Sequence, residues 1–163
     1  MKAKLFTGIM YAEEEAYRRA VERLVERFGL MELEGEAYEF DFTDYYEGEM
    51  GAGLWKRFVV FKEPIEREKL ADIKLFTNDL ERELAVEGRR RVNIDPGYLT
   101  KASLILATTK DFPHRIYLRE GIYAEVTLTF KKNTCSFFDW TYPDFRTPEV
   151  CNFFLEVRKK IKE

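Results

Sequence analysis

The chain of 163 residues contains one histidine, two cysteines, two serines and no glutamine. Each shortage removes a class of chemistry. With His114 as the only imidazole, zinc sites built on several histidines are excluded. Cys135 and Cys151 are too few for a disulfide scaffold or a thiolate zinc site, and neither sits in a nucleophile signature. They are expected as buried thiols in a reducing cytoplasm, with pairing left open because heat-adapted intracellular proteins do join cysteines. Ser103 and Ser136 lack the Gly-x-Ser-x-Gly elbow of a serine hydrolase. No run reaches the roughly 18 apolar residues of a membrane span. The start, Met1 to Leu5, enters a strand-like stretch without a secretory signal.

What is present is charge and aromatic surface. Charged residues make up 35%, aromatics 15% and hydrophobics 45%, enough apolar material for a full core in one domain spanning 1–163. Many Glu, Lys and Arg with few amides resembles a heat-adapted protein. The net charge of −3, with both signs mixed, argues against nucleic acid as a partner. The clusters Arg89-Arg90-Arg91 and Arg158-Lys159-Lys160 read as solvated surface.

Residues 3–10 read as a strand. A helix follows from about Glu13 to Phe28, with Tyr17, Ala20, Val21, Leu24 and Phe28 on one stripe and Gly29 ending it. Strands are predicted at about 37–44 and 54–62, joined by the three-glycine loop "DYYEGEMGAG". That loop precedes a strand rather than a helix, so it cannot form a P-loop or Rossmann phosphate cradle. A second helix is expected over about 66–86 and a strand over 90–95, ended by a turn at Pro96-Gly97. This order is that of a ferredoxin-like split βαβ unit. Further strands follow, then a last helix from Thr147, a good N-cap, and Pro148. The fold class is α+β: a single domain with a ferredoxin-like start extended by further antiparallel strands, with helices mainly on one sheet face.

From Ile116 to Phe130 apolar and polar residues alternate. Ile116, Leu118, Ile122, Ala124, Val126, Leu128 and Phe130 share one parity; Tyr117, Arg119, Tyr123, Glu125, Thr127 and Thr129 share the other. With the apolar set under helices, the second set forms a polar face together with Asp41, Asn93 and Asp95. The aromatic segment "FFDWTYPDFR" is expected to wall it. Lys110, Arg115 and Arg119 are candidate anion holders, since guanidinium groups bind phosphate or carboxylate through paired hydrogen bonds. Asn93, Tyr123, Trp140 and Tyr142 are further ligand-binding candidates, the aromatics as stacking surfaces. His114, Glu125 and Asp95 are the candidates for proton transfer. Asp41, Asp95 and Glu125 could hold Mg²⁺, a hard ion that takes oxygen ligands.

The stretches "FDFTDYYEGEMG", "LFTNDLE", "RVNIDPGYL", "ATTKDFPHRIYLREGIYAEVTLTF" and "WTYPDFR" resemble an uncharacterised prokaryotic family, domain of unknown function 4416, over nearly the whole chain. One departure is Phe145 where a tyrosine is expected. Some members carry the label "GTP-binding protein", yet neither P-loop spacing nor a guanine-reading Asn-Lys-x-Asp occurs here. The resemblance implies no established activity. It does put emphasis on polar residues, among them Tyr45, Tyr46, Glu49, Asn78 and Asp144. The expectation is a protein that binds a small phosphate- or nucleotide-like anion on the polar sheet face, as a metal-assisted enzyme or a sensor. The alternative is an interaction or homodimerisation module.

Overall fold

The computed structural model describes residues 1–162. Ten strands and four helices follow one another as β1 (Lys2–Tyr11), α1 (Glu14–Phe28), β2 (Met31–Glu34), β3 (Tyr38–Glu39), α2 (Glu47–Met50), β4 (Trp55–Phe61), β5 (Ile65–Glu66), α3 (Leu70–Leu84), β6 (Val92–Leu99), β7 (Ser103–Thr108), β8 (Arg115–Arg119), β9 (Ile122–Lys131), β10 (Thr134–Phe137) and α4 (Pro148–Lys159). Short 3₁₀ turns at Arg67–Lys69 and Pro143–Arg146 precede α3 and α4. The result is a single-domain α+β fold around one large antiparallel sheet, ordered β10-β9-β7-β6-β1-β4-β2. The strips β3, β5 and β8 pair with β4, β1 and β9.

β1 lies centrally and is buried over nine of its ten residues, because both of its faces are covered. Leu5, Ile9 and Tyr11 point into a core shared with Ala20 and Leu24 of α1 and Ile73, Leu80 and Leu84 of α3. The alternate residue Phe6 points the other way, into a second core with Phe154 and Val157 of α4. The sequence placed the helices mainly on one face; α1 and α3 share a face, and α4 covers half of the other. The two-sided burial of β1 is the reason: both parities of its side chains are apolar. Thr147 caps α4 as expected, accepting a hydrogen bond from Val150 N.

Four local expectations are corrected. Strand 37–44 shrinks to two residues: past the single bond from Phe40 N–H to Leu54 O the chain leaves the ladder, and Phe42 packs against the rings of Tyr38 and Phe40. The pairing missed by the sequence is β2 with β4. β6 runs straight through Pro96-Gly97 rather than turning there. Finally, the alternation from Ile116 to Phe130 is not one face. β9 carries one extra residue between Val126 and Leu128, opposite Ile105 and Leu104 of β7. Ile122 and Ala124 therefore pack toward α3, whereas Leu128 and Phe130 pack toward α4.

Cys135 and Cys151 form a disulfide, which ties β10 to α4. The sequence favoured buried thiols and left pairing open; both cysteines are instead half-buried and bridged, their Cα atoms 6.2 Å apart, within bridging range. No helix among the described residues is long and apolar enough to cross a membrane.

Candidate functional site

The site begins with a split in the sheet. β6 pairs with β1 along its whole length but with β7 only from Gly97 to Leu99. Beyond that, β7 stays with β9 and the two halves part. Gly97 sits where they still touch: a Cβ there would lie 2.2 Å from Ile105 O, so no side chain fits. Past it, the outer edge of β6 has no strand partner. Helix α3 supplies one. Glu81 accepts the Ile94 N–H at 2.6 Å, and Lys74 Nζ donates to Ile94 O at 3.3 Å. By strand alternation the nitrogen of Pro96 faces the same open edge, so its missing N–H breaks no ladder bond.

This notch is roofed into a cavity of about 290 Å³. One wall is the strap 41–53, closed at its base by the bond from Phe40 N–H to Leu54 O and presenting Tyr45 and Tyr46. A second wall comes from Thr108, Thr109, Lys110 and Arg115, at the ends of β7 and β8. The third is the turn before α4, with Tyr142, Asp144 and Phe145. The cavity lies on the sheet face that α4 leaves open.

Three ion networks hold the walls. Lys56 Nζ lies 2.7 Å from Asp144 Oδ2, which also accepts the Tyr38 hydroxyl at 2.8 Å. Both charged side chains are almost wholly buried, and the ammonium faces the rings of Phe40, Phe58 and Phe145 at 5.1–5.5 Å. Gly8 below makes room, since a Cβ would come within 3.1 Å of Lys56 Cε. The second network runs from the strap to the floor. Arg90 forks onto Glu49, donates to Asn93 Oδ1 at 2.8 Å, and Asn93 in turn donates to Asp95 Oδ2 at 3.0 Å. Hydrogen bonds from Arg90 hold the Glu49 carboxyl below its ordinary range. Burial pushes the Glu81 carboxyl up, against the pull of Lys74, the Ile94 N–H and Arg90. Burial also raises the hydroxyls of Tyr46 and Tyr142, so both remain protonated donors.

The third network centres on Glu125. Its Oε1 meets Arg115 Nε at 3.0 Å and His114 Nε2 at 2.9 Å; its Oε2 accepts the Thr127 hydroxyl at 2.8 Å. Arg115 also donates through NH1 to Thr108 Oγ1 and Lys110 O and through NH2 to the Tyr142 hydroxyl, leaving one NH2 donor unspent.

Of the residues singled out from sequence, Asn93, Asp95, Lys110, Arg115, Glu125 and Tyr142 meet at this cavity. His114 does not line it; the ring supports Glu125 from behind and stacks on Trp140 at 4.7 Å. Trp140 likewise lies outside, with Nε1–H donating to Val126 O at 2.8 Å. Arg119 pairs with Asp72 and Glu120 elsewhere, and Tyr123 packs on Tyr117. Arg119 was misplaced because the register of β8 on β9 shifts between Tyr117 and Arg119; Tyr123 keeps the parity of Glu125 but lies beyond the cavity. Asp41 is exposed in the strap, so the proposed metal trio Asp41, Asp95 and Glu125 does not assemble. No group of three or more His, Cys, Asp or Glu among the described residues could hold a metal ion.

Sequence reading missed Lys56, Lys74, Glu81 and Arg90. A signal existed for three of them. Lys56, with Arg57, interrupts a largely apolar strand, and Lys74, Asn78 and Glu81 recur at i, i+4 and i+7 beside the apolar stripe of α3. Arg90 carried no such signal in its run of three arginines.

No curated protein matches this chain, and no solved structure does. A family model does, over residues 1–161. The chain belongs to the family described as domain of unknown function DUF4416.

Proposed function

We propose that the protein binds a small anionic ligand, of phosphate- or nucleotide-like chemistry, in the cavity between β6 and β7. The observation that carries this reading is the unspent donor capacity of three lysines. Lys56 Nζ makes one hydrogen bond, to Asp144; Lys74 Nζ makes one, to Ile94 O; Lys110 Nζ makes one long one, to the Tyr45 hydroxyl at 3.4 Å. An ammonium group has three donors. The lining holds five cations (Lys56, Lys74, Arg90, Lys110, Arg115) and four carboxylates (Glu81, Asp95, Glu125, Asp144), and Glu49 neutralises Arg90 from outside it, so the charges balance and the spare lysine donors carry the reading. Ammonium groups with spare donors on one cavity wall attract an anion.

A thermal-shift series with phosphate, pyrophosphate, dicarboxylates and nucleotides, with and without Mg²⁺, tests the reading. Lys110→Ala removes a rim ammonium whose loss should leave the fold intact. Ligands that stabilise the parent should stabilise this variant less. A full shift in Lys110→Ala removes Lys110 from the site, and no shift with any anion ends the reading. Enhancement by Mg²⁺ would favour metal-assisted catalysis over a non-catalytic sensor.

A second reading, a homodimer, draws on β8. This strand pairs only with β9, and its Ile116 and Leu118 are 69% and 40% exposed. Sedimentation of the parent and of Ile116→Lys checks it: a concentration-dependent dimer lost in the variant supports it.

We also infer a ferredoxin-like ancestry for the first hundred residues. The strand order β6-β1-β4-β2, with β1 antiparallel to both neighbours, supports it. The charge-rich composition and joined cysteines together favour a heat-adapted cytoplasmic protein.

A further inference from the structure

The cavity carries unspent acceptors as well as donors, and they lie on different elements. Glu81 Oε2 takes the Ile94 N–H, but the nearest cation to Oε1 is Arg90 NH1 at 3.7 Å, beyond hydrogen-bond reach. Asp95 Oδ2 takes the Asn93 amide, while Oδ1 has only Lys74 Nζ, at 3.5 Å. The Asn78 amide on α3 makes no side-chain hydrogen bond among the described residues. Thus α3 and β6 present two free carboxylate oxygens and a free amide in the wall that Lys74 shares with them.

We propose that the ligand is a phosphorylated sugar, free or as the ribose phosphate of a nucleotide, with hydroxyls on Asp95, Glu81 and Asn78 and its phosphate on the lysines. The inference rests on the anion reading above and adds the hydroxyl-reading wall. A bare phosphate or carboxylate would satisfy the lysines but leave two carboxylates facing a like charge. Hydroxyl groups donate to those oxygens and separate them from the phosphate. The aromatic walls of Phe40 and Tyr46 suit the C–H face of a sugar ring. A volume of about 290 Å³ fits one sugar phosphate and is small for a dinucleotide. The site is built rather than superficial: Lys56, Lys74, Glu81 and Asp144 are each more than nine-tenths buried while lining it.

Titration calorimetry with inorganic phosphate, ribose, ribose 5-phosphate, glucose 6-phosphate and adenosine 5′-monophosphate tests the proposal. At least one sugar phosphate should bind about tenfold or more tightly than phosphate, since hydrogen bonds to charged groups are the stronger kind. Free ribose should bind weakly or not at all. Asp95→Ala should weaken the sugar phosphate by about tenfold and leave phosphate binding unchanged or tighter. Asn78→Ala, at a half-exposed position, is a second variant should Asp95→Ala fail to fold. Adenosine monophosphate binding more tightly than ribose 5-phosphate assigns the sugar to a nucleotide; the reverse assigns it to a free sugar phosphate. Equal affinity for phosphate and every sugar phosphate, or a variant that weakens both alike, overturns the proposal while the anion reading stands. Absence of binding by any of the anions overturns both.

Discussion

Breaking the Lys56–Asp144 pair tests whether buried charge holds the cavity together. The ions are 2.7 Å apart with side chains 7% and 3% exposed. At an effective dielectric of about 20 their attraction is about 6 kcal/mol, and the cost of dehydrating both offsets most of it. The pair as a whole therefore contributes little net stability, while either ion left alone is expensive. Lys56→Met keeps the side-chain length and strands Asp144 with only the Tyr38 hydroxyl. It should cost about 3–5 kcal/mol. Asp144→Asn still accepts from Tyr38 and leaves the ammonium facing three phenyl rings, which recover about 1 kcal/mol. It should cost about 2–4 kcal/mol. In the double variant neither charge of this pair remains, and the loss should fall below about 2 kcal/mol. Urea unfolding at neutral pH measures all four corners of the cycle, with a coupling of at least about 3 kcal/mol expected. In a domain of this size, Lys56→Met should also lower Tm by roughly 6–20 °C. Additive single losses, or a Lys56→Met loss under about 1 kcal/mol, would refute the argument.

Three other perturbations have outcomes set by the same contacts. Serines at both Cys135 and Cys151 open a crosslink of sequence separation 16 and should cost about 3 kcal/mol; calorimetry with and without reductant checks this, and an unchanged Tm would count against the bridge. Glu49→Gln loosens the fork to Arg90, a half-exposed pair worth about 1 kcal/mol after solvent screening, so amide exchange in the strap 41–53 should quicken about fivefold with little change in global stability. Glu81 binds its proton more tightly folded than unfolded, so it costs stability progressively as pH rises above about 4.5 through its raised folded pKa. The stability of Glu81→Gln relative to the parent should therefore climb with pH across that window in pH-dependent urea titrations, and a pH-independent difference would exclude Glu81 as the cause.

The legible parts of the sequence were those governed by local pattern. The stripes of α1 and α3 and the Thr147-Pro148 start of α4 follow from helical period and capping, and all three helices are present. Alternation failed where one residue was out of step. The extra residue beside Val126 exchanges the faces of β9, and no periodicity marks a bulge that is defined by its partner strand. Tyr38, Phe40 and Phe42 alternate like a strand, yet only Tyr38 lies in β3, and Phe42 packs on the other two rings, since an aromatic ring can be buried by another ring as well as by a sheet. Half of the cavity was readable because its polar residues cluster in short segments, Asn93 to Asp95 and Lys110 to Arg115. The other half, Lys56, Lys74, Glu81 and Arg90, lies on β4, α3 and the loop before β6, which sequence cannot bring together.

By itself the sequence determined the class of the fold, the helices, the absence of several catalytic chemistries and the presence of polar groups too numerous for a plain strand edge. Those follow from residue type and near-neighbour spacing, which a chain carries before it folds. Only tertiary structure decided that β6 and β7 part after Gly97, and that α3 closes the edge with Glu81 and Lys74. It alone set His114 behind Glu125 rather than in the cavity. Those features depend on contacts between residues many positions apart, where one extra residue or one missing Cβ redirects a whole strand.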